Sequence, residues 1–314
     1  MPPSAGVFTD RISARTVWNI ELLDVPRMRE AKFGCILPIE TADFKQLVDL
    51  AKECERLGYD SVWSYDHLSP FWVPSRRAFE CWTLLSALAT CTEKIKLGSL
   101  VTNTNLRNPT LLAKMTATVD VISGGRLILG LGTGDSMSRG ELMAYGYEFP
   151  HLSERILRLR ETIRVLKTLW TEDDASFVGQ YYKLSHAANR PRPVQYPHPP
   201  IWIGGKHPQI LDIVAELADG WNYWGLAKDQ LARRIDLLSA KCTRYARSPA
   251  RIIRSWSGTL SLAALATKSR SEISDRIAVE LQNQTDTGTH YFIAYFGSRA
   301  NPSVYEAFAE VVLQ

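Results

Sequence analysis

Two adjacent residues of the segment SVWSYDHLSPFW, residues 61–72, are of types that can do acid–base chemistry. Asp66 and His67 directly follow the apolar run SVWSY. An imidazole has an ordinary pKa of about 6.5, so His67 can give or take a proton near neutral pH. A lone Asp-His pair is more often a loop pair that is hydrogen-bonded to the backbone. Its place in the fold therefore has to show whether the pair is catalytic or structural. Asp66 either orients such a site or caps a turn.

Polar residues and glycines follow four other apolar segments in the same way. They are, in chain order, Thr102 and Asn103, then Gly132, Thr133, Gly134 and Asp135, then Gly204 and Gly205, and finally Trp221 and Asn222. The GLGTGD turn does not fit the dinucleotide pattern GxGxxG in register. Its glycines would let a flat ring approach the backbone closely, and we expect Asp135 to point towards that ring as a second catalytic candidate. The alternative is a tight turn with a solvated acid.

The segment IWIGGKHP has the composition of a phosphate-binding turn. Gly204 and Gly205 leave a strand, and Pro208 is suited to the first turn of a helix. Backbone N–H groups at a helix start favour a phosphate, and Lys206 adds positive charge. The alternative is a glycine turn selected only for compactness.

Composition excludes several other classes of protein. The chain of 314 residues has 37 basic and 33 acidic side chains and no basic stripe, so we expect a small-molecule substrate and no nucleic acid. No apolar run is long enough for a membrane span, and no secretory leader pattern opens the chain, which favours the cytoplasm. The five cysteines form no CxxC pair, and HExxH, GxSxG and P-loop patterns do not occur, so no metal site is predicted.

Alternating strands and helices must position these residues. The predicted strands are residues 31–38, 59–66, 95–102, 126–134, 200–205, 220–225, 255–265 and 289–296. The predicted helices are residues 43–58, 82–90, 108–123, 153–170, 208–217, 228–245, 270–282 and 303–312, with a hairpin at 176–187. Eight short strands that are apolar on both faces favour an α/β fold, a closed (β/α)8 TIM barrel, over an open doubly wound sheet. We expect one barrel domain with short insertions, residues 31–314, after an N-terminal extension or arm, residues 1–30.

A barrel changes the interpretation of His67, because active sites of such barrels lie at the carboxyl ends of the strands. His67 follows the second strand, so it becomes the best catalytic candidate in the chain.

The sequence resembles the bacterial luciferase-like monooxygenase superfamily, and within it the F420-dependent oxidoreductase branch, over about residues 32–312. The resemblance rests on the segments AKECERLGYDSVWSYDHL, KLGSLVTNTNLRNPTLLAKMTATVDVISGGRLILGLGTG, NRPRPVQYPHPPIWIGG and ADGWN. It implies a reduced deazaflavin or flavin at the strand ends, with His67 over the reactive ring. Relatives that act on sugar phosphates have Trp and Glu where this chain has Phe71 and Asp135, so their substrate is not carried over.

The resemblance also implies the residues that hold the ring and its phosphate. They are Asp66, Leu100, Val101, Thr102, Asn103, Gly132, Thr133, Gly134, Ile203, Gly204, Gly205 and Lys206. A non-prolyl cis peptide is expected within residues 99–102, at Leu100–Val101. The substrate pocket is expected to include aromatic residues, namely Phe71, Trp72, Trp82 and Trp221, although core packing explains such residues equally well.

Three functions remain after these steps. The first is hydride transfer between F420 and a small organic substrate, by an enzyme that is a homodimer as its family usually is. The second is an FMNH2-dependent monooxygenase, in which a dry pocket would protect the reduced flavin. The third is a flavin- or deazaflavin-binding protein without turnover. The substrate and the direction of the reaction do not follow from the sequence.

Overall fold

A ring of parallel strands forms the centre of this computed structural model, which describes residues 31–69, 77–260, 277, 281–282, 284–297 and 302–313. Its strands are β1 Lys32–Ile36, β2 Ser61–Ser64, β3 Lys96–Ser99, β4 Thr102–Asn103, β5 Leu127–Gly132, β6 Ala175–Val178, β7 Lys183–Ala187, β8 Ile201–Gly204, β9 Gly220–Tyr223, β10 Ile253–Thr259 and β11 Tyr291–Tyr295. The strands of the ring follow the order β3, β2, β1, β11, β10, β9, β8, β5, and a pairing between β5 and β3 closes it. The predicted (β/α)8 barrel is confirmed.

Helices follow the strands and cover the barrel. They are α1 Phe44–Leu57, α2 Cys81–Cys91, α3 Pro109–Ser123, α4 Ser138–Ala144, α5 Leu152–Thr171, α6 Pro208–Leu217, α7 Lys228–Arg244 and a C-terminal helix, Pro302–Val312. Local sequence sets several of their ends. Asp43 and Gln46 form a reciprocal capping box at the start of α1, and Gly58 ends that helix with a φ of 89°. Asn108 caps α3, whose first residue is Pro109.

Most predicted elements agree with this structure. The antiparallel pair β6–β7 confirms the hairpin, and each predicted strand finds its counterpart within the described residues. Helix α4 was not predicted, and β10 begins two residues before the predicted position. The extension at 1–30 and most of the predicted helix 270–282 lie outside the described residues, so both stay predictions. Among the described residues, no helix has the length and apolar character needed to cross a membrane.

The core has two layers because successive strand residues face opposite sides. The outer layer packs strand residues against helices, whereas the buried residues of the inner layer all come from strands. Inside the barrel, the ring of Trp63 lies 5.2 Å from that of Trp202. Gly98 and Gly220 make room for them, since a Cβ would lie 2.1 Å from the Trp63 ring and 2.5 Å from the Trp202 ring. These large rings fill the barrel at that level, which leaves the carboxyl ends of the strands as the place for a ligand.

Candidate active site

His67 lies at the carboxyl end of β2 and is paired with a carboxylate. Tyr65 directly follows β2 and packs against inner-layer residues, and its ring contacts that of His67 at a centroid distance of 5.6 Å. Its Nδ1 lies 2.6 Å from Oε2 of Glu141, and the two side chains are 20% and 4% exposed. The predicted acid–base candidate is thus close to a buried acid that is 74 residues away in sequence.

Glu141 is held at this place by several donors. It comes from helix α4 and also accepts hydrogen bonds from the N–H groups of Leu68 and Ser69, the latter at 3.0 Å. Burial alone would raise the pKa of the Glu141 carboxyl, but the hydrogen bonds from His67 and Ser69 bring it below its usual value. A charged Glu141 therefore accepts a proton-bearing Nδ1, and in the neutral imidazole Nε2 is then the acceptor nitrogen.

Sequence reasoning missed Glu141 altogether. No predicted strand or helix covers residues 136–152, which contain α4, a helix of only 7 residues. The only available signal was the acid itself, because a helix of about two turns leaves little periodicity in the sequence.

Asp66 has a structural position next to this pair. Both of its oxygens contact Arg107, at 2.6 and 2.9 Å, and Oδ2 also accepts the Asn103 N–H at 3.0 Å. Burial raises the pKa of the Asp66 carboxyl above its usual value, while the Arg107 guanidinium acts in the opposite direction. Arg107 contacts Glu80 as well. Asp66 thus joins the end of β2 to β4 and to the start of α3, and direct cofactor binding by Asp66 stays a prediction.

A cis peptide joins Leu100 to Val101, as expected from the resemblance. Val101 then lies against glycines of the neighbouring strands. A Cβ on Gly132 would be 2.5 Å from Val101 Cγ2, and one on Gly204 would be 3.0 Å from Val101 Cγ1. Glycine at both positions therefore lets the Val101 side chain pack onto the inner wall at the strand ends. Thr102, which follows, is buried and donates to the Ser99 hydroxyl at 2.9 Å.

The Gly132–Thr133–Gly134 turn is held from behind by two side chains. The carbonyl of Thr133 accepts from Asn105 Nδ2 at 2.7 Å and from Arg155 Nη1 at 2.8 Å. Gly134 has a φ of 70°, and a Cβ there would lie 3.1 Å from Asn103 Nδ2. The turn and Asn103 are therefore adjacent, as their common location at strand ends predicted. Arg155 is a buried support that sequence reasoning did not identify.

Asp135 departs from its expected catalytic place. The side chain is exposed, and its Oδ1 accepts from both the N–H and the hydroxyl of Ser138, each at 2.9 Å. The carboxylate that contacts His67 is Glu141 instead. Asp135 binds the start of α4, and its exposure agrees with the alternative of a solvated acid in a turn.

The Gly204–Gly205 turn leads into α6 as expected. Gly205 has a φ of 131°, which favours glycine, and its N–H donates to the Asn222 carbonyl at 3.1 Å. The N–H groups of Lys206 and His207 donate to no residue within the described ranges. These two N–H groups, with the exposed Lys206 side chain, are the donors that this turn can offer a phosphate.

Three predicted ligand contacts have side chains in the wrong layer. Ile203, Trp82 and Trp221 all belong to the outer layer between strands and helices. The Trp221 indole donates to the Gly205 carbonyl at 2.6 Å, so it supports the turn from outside the barrel. The prediction that Trp82 and Trp221 line the substrate pocket was wrong, because Trp82 lies on helix α2 outside the ring of strands and Trp221 faces the helices from β9. Phe71 and Trp72 lie outside the described residues.

A second buried carboxylate, Glu40, was also missed. It follows β1 and is only 2% exposed. It accepts hydrogen bonds from the hydroxyls of Tyr65 and Tyr295. Tyr65 directly follows β2, and Tyr295 is the last residue of β11. The three side chains connect β2, β1 and β11 at the same end of the barrel as His67.

The arrangement of these residues fits a flat ring. Val101 packs against the glycines at 132 and 204, and His67 with Glu141 lies at the end of the nearby β2. The Lys206–His207 turn adds donors for a phosphate. A packed wall, an acid–base group and N–H donors for a phosphate are compatible with a flavin or deazaflavin.

Comparisons with known proteins agree with the fold. Residues 30–301 match the model of the luciferase-like monooxygenase family. An F420-dependent glucose-6-phosphate dehydrogenase of Amycolatopsis mediterranei (strain U-32) is 35% identical over 178 residues, which are 56% of this chain and 52% of that protein. The chain thus spans about half the length of the curated relatives it matches.

Solved structures resemble the chain over a greater length. An F420-dependent secondary alcohol dehydrogenase in complex with an F420-acetone adduct gives a TM-score of 0.79 at 19% identity, over 90% of this chain and 98% of that one. A coenzyme F420-dependent tetrahydromethanopterin reductase from Methanopyrus kandleri gives 0.75 at 19% identity, with the same coverage. At these identities the likeness shows the fold alone.

Proposed function

We propose that this chain, which belongs to the luciferase-like monooxygenase family, is an oxidoreductase that uses coenzyme F420 for hydride transfer to or from a small organic substrate. The observation that carries the proposal is the His67–Glu141 pair, a histidine and a buried acid 2.6 Å apart at the strand ends. The names of the curated relatives, which are F420-dependent dehydrogenases, support F420 over FMN.

Three groups of residues would hold the cofactor. Val101, on its glycine wall, would support the flat ring, and the turn with Thr133 and Gly134 would approach its edge. The N–H groups of Lys206 and His207 would bind the phosphate, since the start of α6 favours an anion. When bound, F420 supplies a carbon that donates or accepts a hydride.

His67 would handle the proton that accompanies the hydride. Glu141 accepts the Nδ1–H bond and so leaves Nε2 as the basic nitrogen. When an alcohol-type substrate is oxidised, Nε2 takes the hydroxyl proton, and the Glu141 carboxylate stabilises the imidazolium that results. In the reverse reaction, Nε2–H returns the proton to the substrate oxygen. General acid–base catalysis of this kind contributes about 10²- to 10⁴-fold in rate.

The main alternative is an FMNH2-dependent monooxygenase. The family's description favours it, and Val101 on its glycine wall would support either ring. A binding protein without turnover is a third candidate. The Glu141 partner of His67 weighs against it, because a buried acid that fixes the tautomer has no evident use in cofactor binding alone.

Paired histidine variants test the proposal. Turnover would be followed by the visible absorbance of oxidised F420 with a panel of substrates that includes glucose 6-phosphate and simple secondary alcohols. His67→Ala should lower kcat about 10²-fold or more while F420 affinity changes less than about threefold. His186→Ala is the matched control, since it removes an exposed His–Asp pair in the β6–β7 hairpin. Equal losses of turnover and affinity in His67→Ala would make His67 a binding residue and contradict its proposed role.

A homodimer and a cytoplasmic location complete the proposal. The family resemblance supports the homodimer, and the composition of the chain supports the cytoplasmic location.

A further inference from the structure

We propose that Tyr65 is a positioning residue for His67, and that Glu40 anchors Tyr65 for this task. The inference rests on the proposed acid–base role of His67. It gives a use to a buried carboxylate that the proposed reaction does not otherwise employ.

The rings of Tyr65 and His67 contact each other. Tyr65 and His67 are two residues apart in the segment after β2, and Tyr65 packs against residues of the inner layer. Their ring centroids are 5.6 Å apart with an interplanar angle of 67°, an edge-on arrangement. Such pairs are favourable because the edge of one ring carries positive charge and the face of the other carries negative charge. The Tyr65 ring thus limits how far the imidazole can tilt.

Glu40 anchors the Tyr65 ring through the phenol hydroxyl. Its hydroxyl donates to Glu40 Oε2, and Glu40 Oε1 accepts from Tyr295. Burial raises the pKa of Tyr65 well above its usual value, and Glu40 raises it further, so the phenol stays a donor throughout the neutral range. A carboxylate that is 2% exposed is tolerated only when its oxygens are hydrogen-bonded. The Tyr65 ring is therefore fixed at both ends, by the main chain at its Cα and by Glu40 at its hydroxyl.

Glu141 acts on His67 in a different way from Tyr65. A single hydrogen bond at Nδ1 sets the tautomer of His67, but the imidazole ring can still rotate about the axis of that hydrogen bond. Catalytic groups have to be held within about 10–20° of the productive orientation. Glu141 sets the proton position and Tyr65 sets the plane, so the two supports of His67 are complementary.

Two variants of Tyr65 separate the role of its ring from that of its hydroxyl, and a third variant is the control. Tyr65→Phe keeps the ring and its volume but removes the bond to Glu40. Tyr65→Leu removes the ring contact as well. Tyr223→Phe is the matched control, because its buried hydroxyl bonds Gln284 and Thr289 in the outer layer. Thermal unfolding of each variant reports any general loss of stability.

Nitrogen-15 NMR of histidine side chains is the substrate-free measurement. The His67 signals are assigned by their loss in His67→Gln. We expect one slowly exchanging Nδ1–H tautomer in the unaltered protein and in Tyr223→Phe. In Tyr65→Leu we expect exchange-broadened signals from a rotating ring, and in Tyr65→Phe an intermediate state.

Kinetics with F420 and a working substrate give the second readout. Tyr65→Leu should lower kcat about 10- to 100-fold and Tyr65→Phe about 3- to 10-fold, with KM changed less than about threefold in both. His67 signals in Tyr65→Leu identical to those of Tyr223→Phe would overturn the positioning role, even if the activity fell. Because NMR needs no cofactor, this result is separate from failure of the proposed function, which would appear as F420 turnover that is unaffected by His67→Ala.

Discussion

Replacement of Glu141 by glutamine tests the pair at the centre of the site. The amide retains the size of the side chain and an oxygen that can accept from the Leu68 and Ser69 N–H groups. It removes the charge that faces His67 Nδ1 at 2.6 Å. A hydrogen bond to a charged group contributes about 1.5–3 kcal/mol. Since about 1.36 kcal/mol changes a rate tenfold, we expect kcat to fall about 10- to 150-fold, with KM changed less than about threefold.

The pH dependence of stability provides an independent check on the same variant. The folded-state pKa of Glu141 lies below its usual value, so its carboxylate stabilises the fold above the unfolded-state pKa of about 4.3. This contribution is lost as the pH falls through the lowered folded-state pKa. The stability difference between the unaltered protein and Glu141→Gln should therefore be present above about pH 5 and shrink below about pH 4.

The assay compares F420 turnover and chemical unfolding of Glu141→Gln with those of Glu154→Gln. Glu154 is a half-exposed residue of α5 that pairs with Arg158, so its variant controls for the loss of one ion pair. A kcat of Glu141→Gln that stays within about twofold of the control at every pH would refute the role of Glu141 in orienting His67.

Three further predictions concern the surroundings of the pair. Arg107→Met leaves the carboxylate of Asp66 buried without its partner, so unfolding by urea should show a loss of about 3–5 kcal/mol at neutral pH that shrinks as Asp66 is protonated in acid. Gly132→Ala should weaken F420 binding in a fluorescence titration, because its Cβ would lie 2.5 Å from Val101, and Val101→Ala should restore part of the affinity in the double variant. Asp135→Asn should cost about 1 kcal/mol or less in thermal unfolding and leave kcat within about twofold, since Asp135 caps Ser138 rather than facing His67.

Strand ends were the part of the site that the sequence predicted well. Parallel strands in a closed ring bring their carboxyl ends to one rim, so His67, Asn103, Thr133 and Gly205 were expected at the same place. The structure describes all four at strand ends on this rim. Short apolar strands and well-capped helices carry enough periodic signal for such a prediction.

The partners of these residues were not predictable in the same way. Glu141 comes from a short helix within a loop segment, and its contact with His67 spans 74 residues. Glu40 lies in the loop after β1, where no periodic pattern assigns a direction to its side chain. Contacts of this kind depend on how loops fold over the barrel, which single-sequence patterns do not encode.

Side-chain direction explains the tryptophan error. Along β9, Asn222 bonds to the inner residues Ser255 and Ser257, so the preceding Trp221 has to face the helices. Residue type did not separate a ligand contact from core packing for Trp221, whereas its position in the strand places it in the outer layer.

Direct titration of the purified protein with oxidised F420 and with FMN, followed by fluorescence and absorbance, tests the central claim. We predict submicromolar binding of F420 and much weaker binding of FMN, with F420 affinity largely retained in His67→Ala. Submicromolar binding of FMN without any response to F420 would contradict the assignment and favour the monooxygenase alternative.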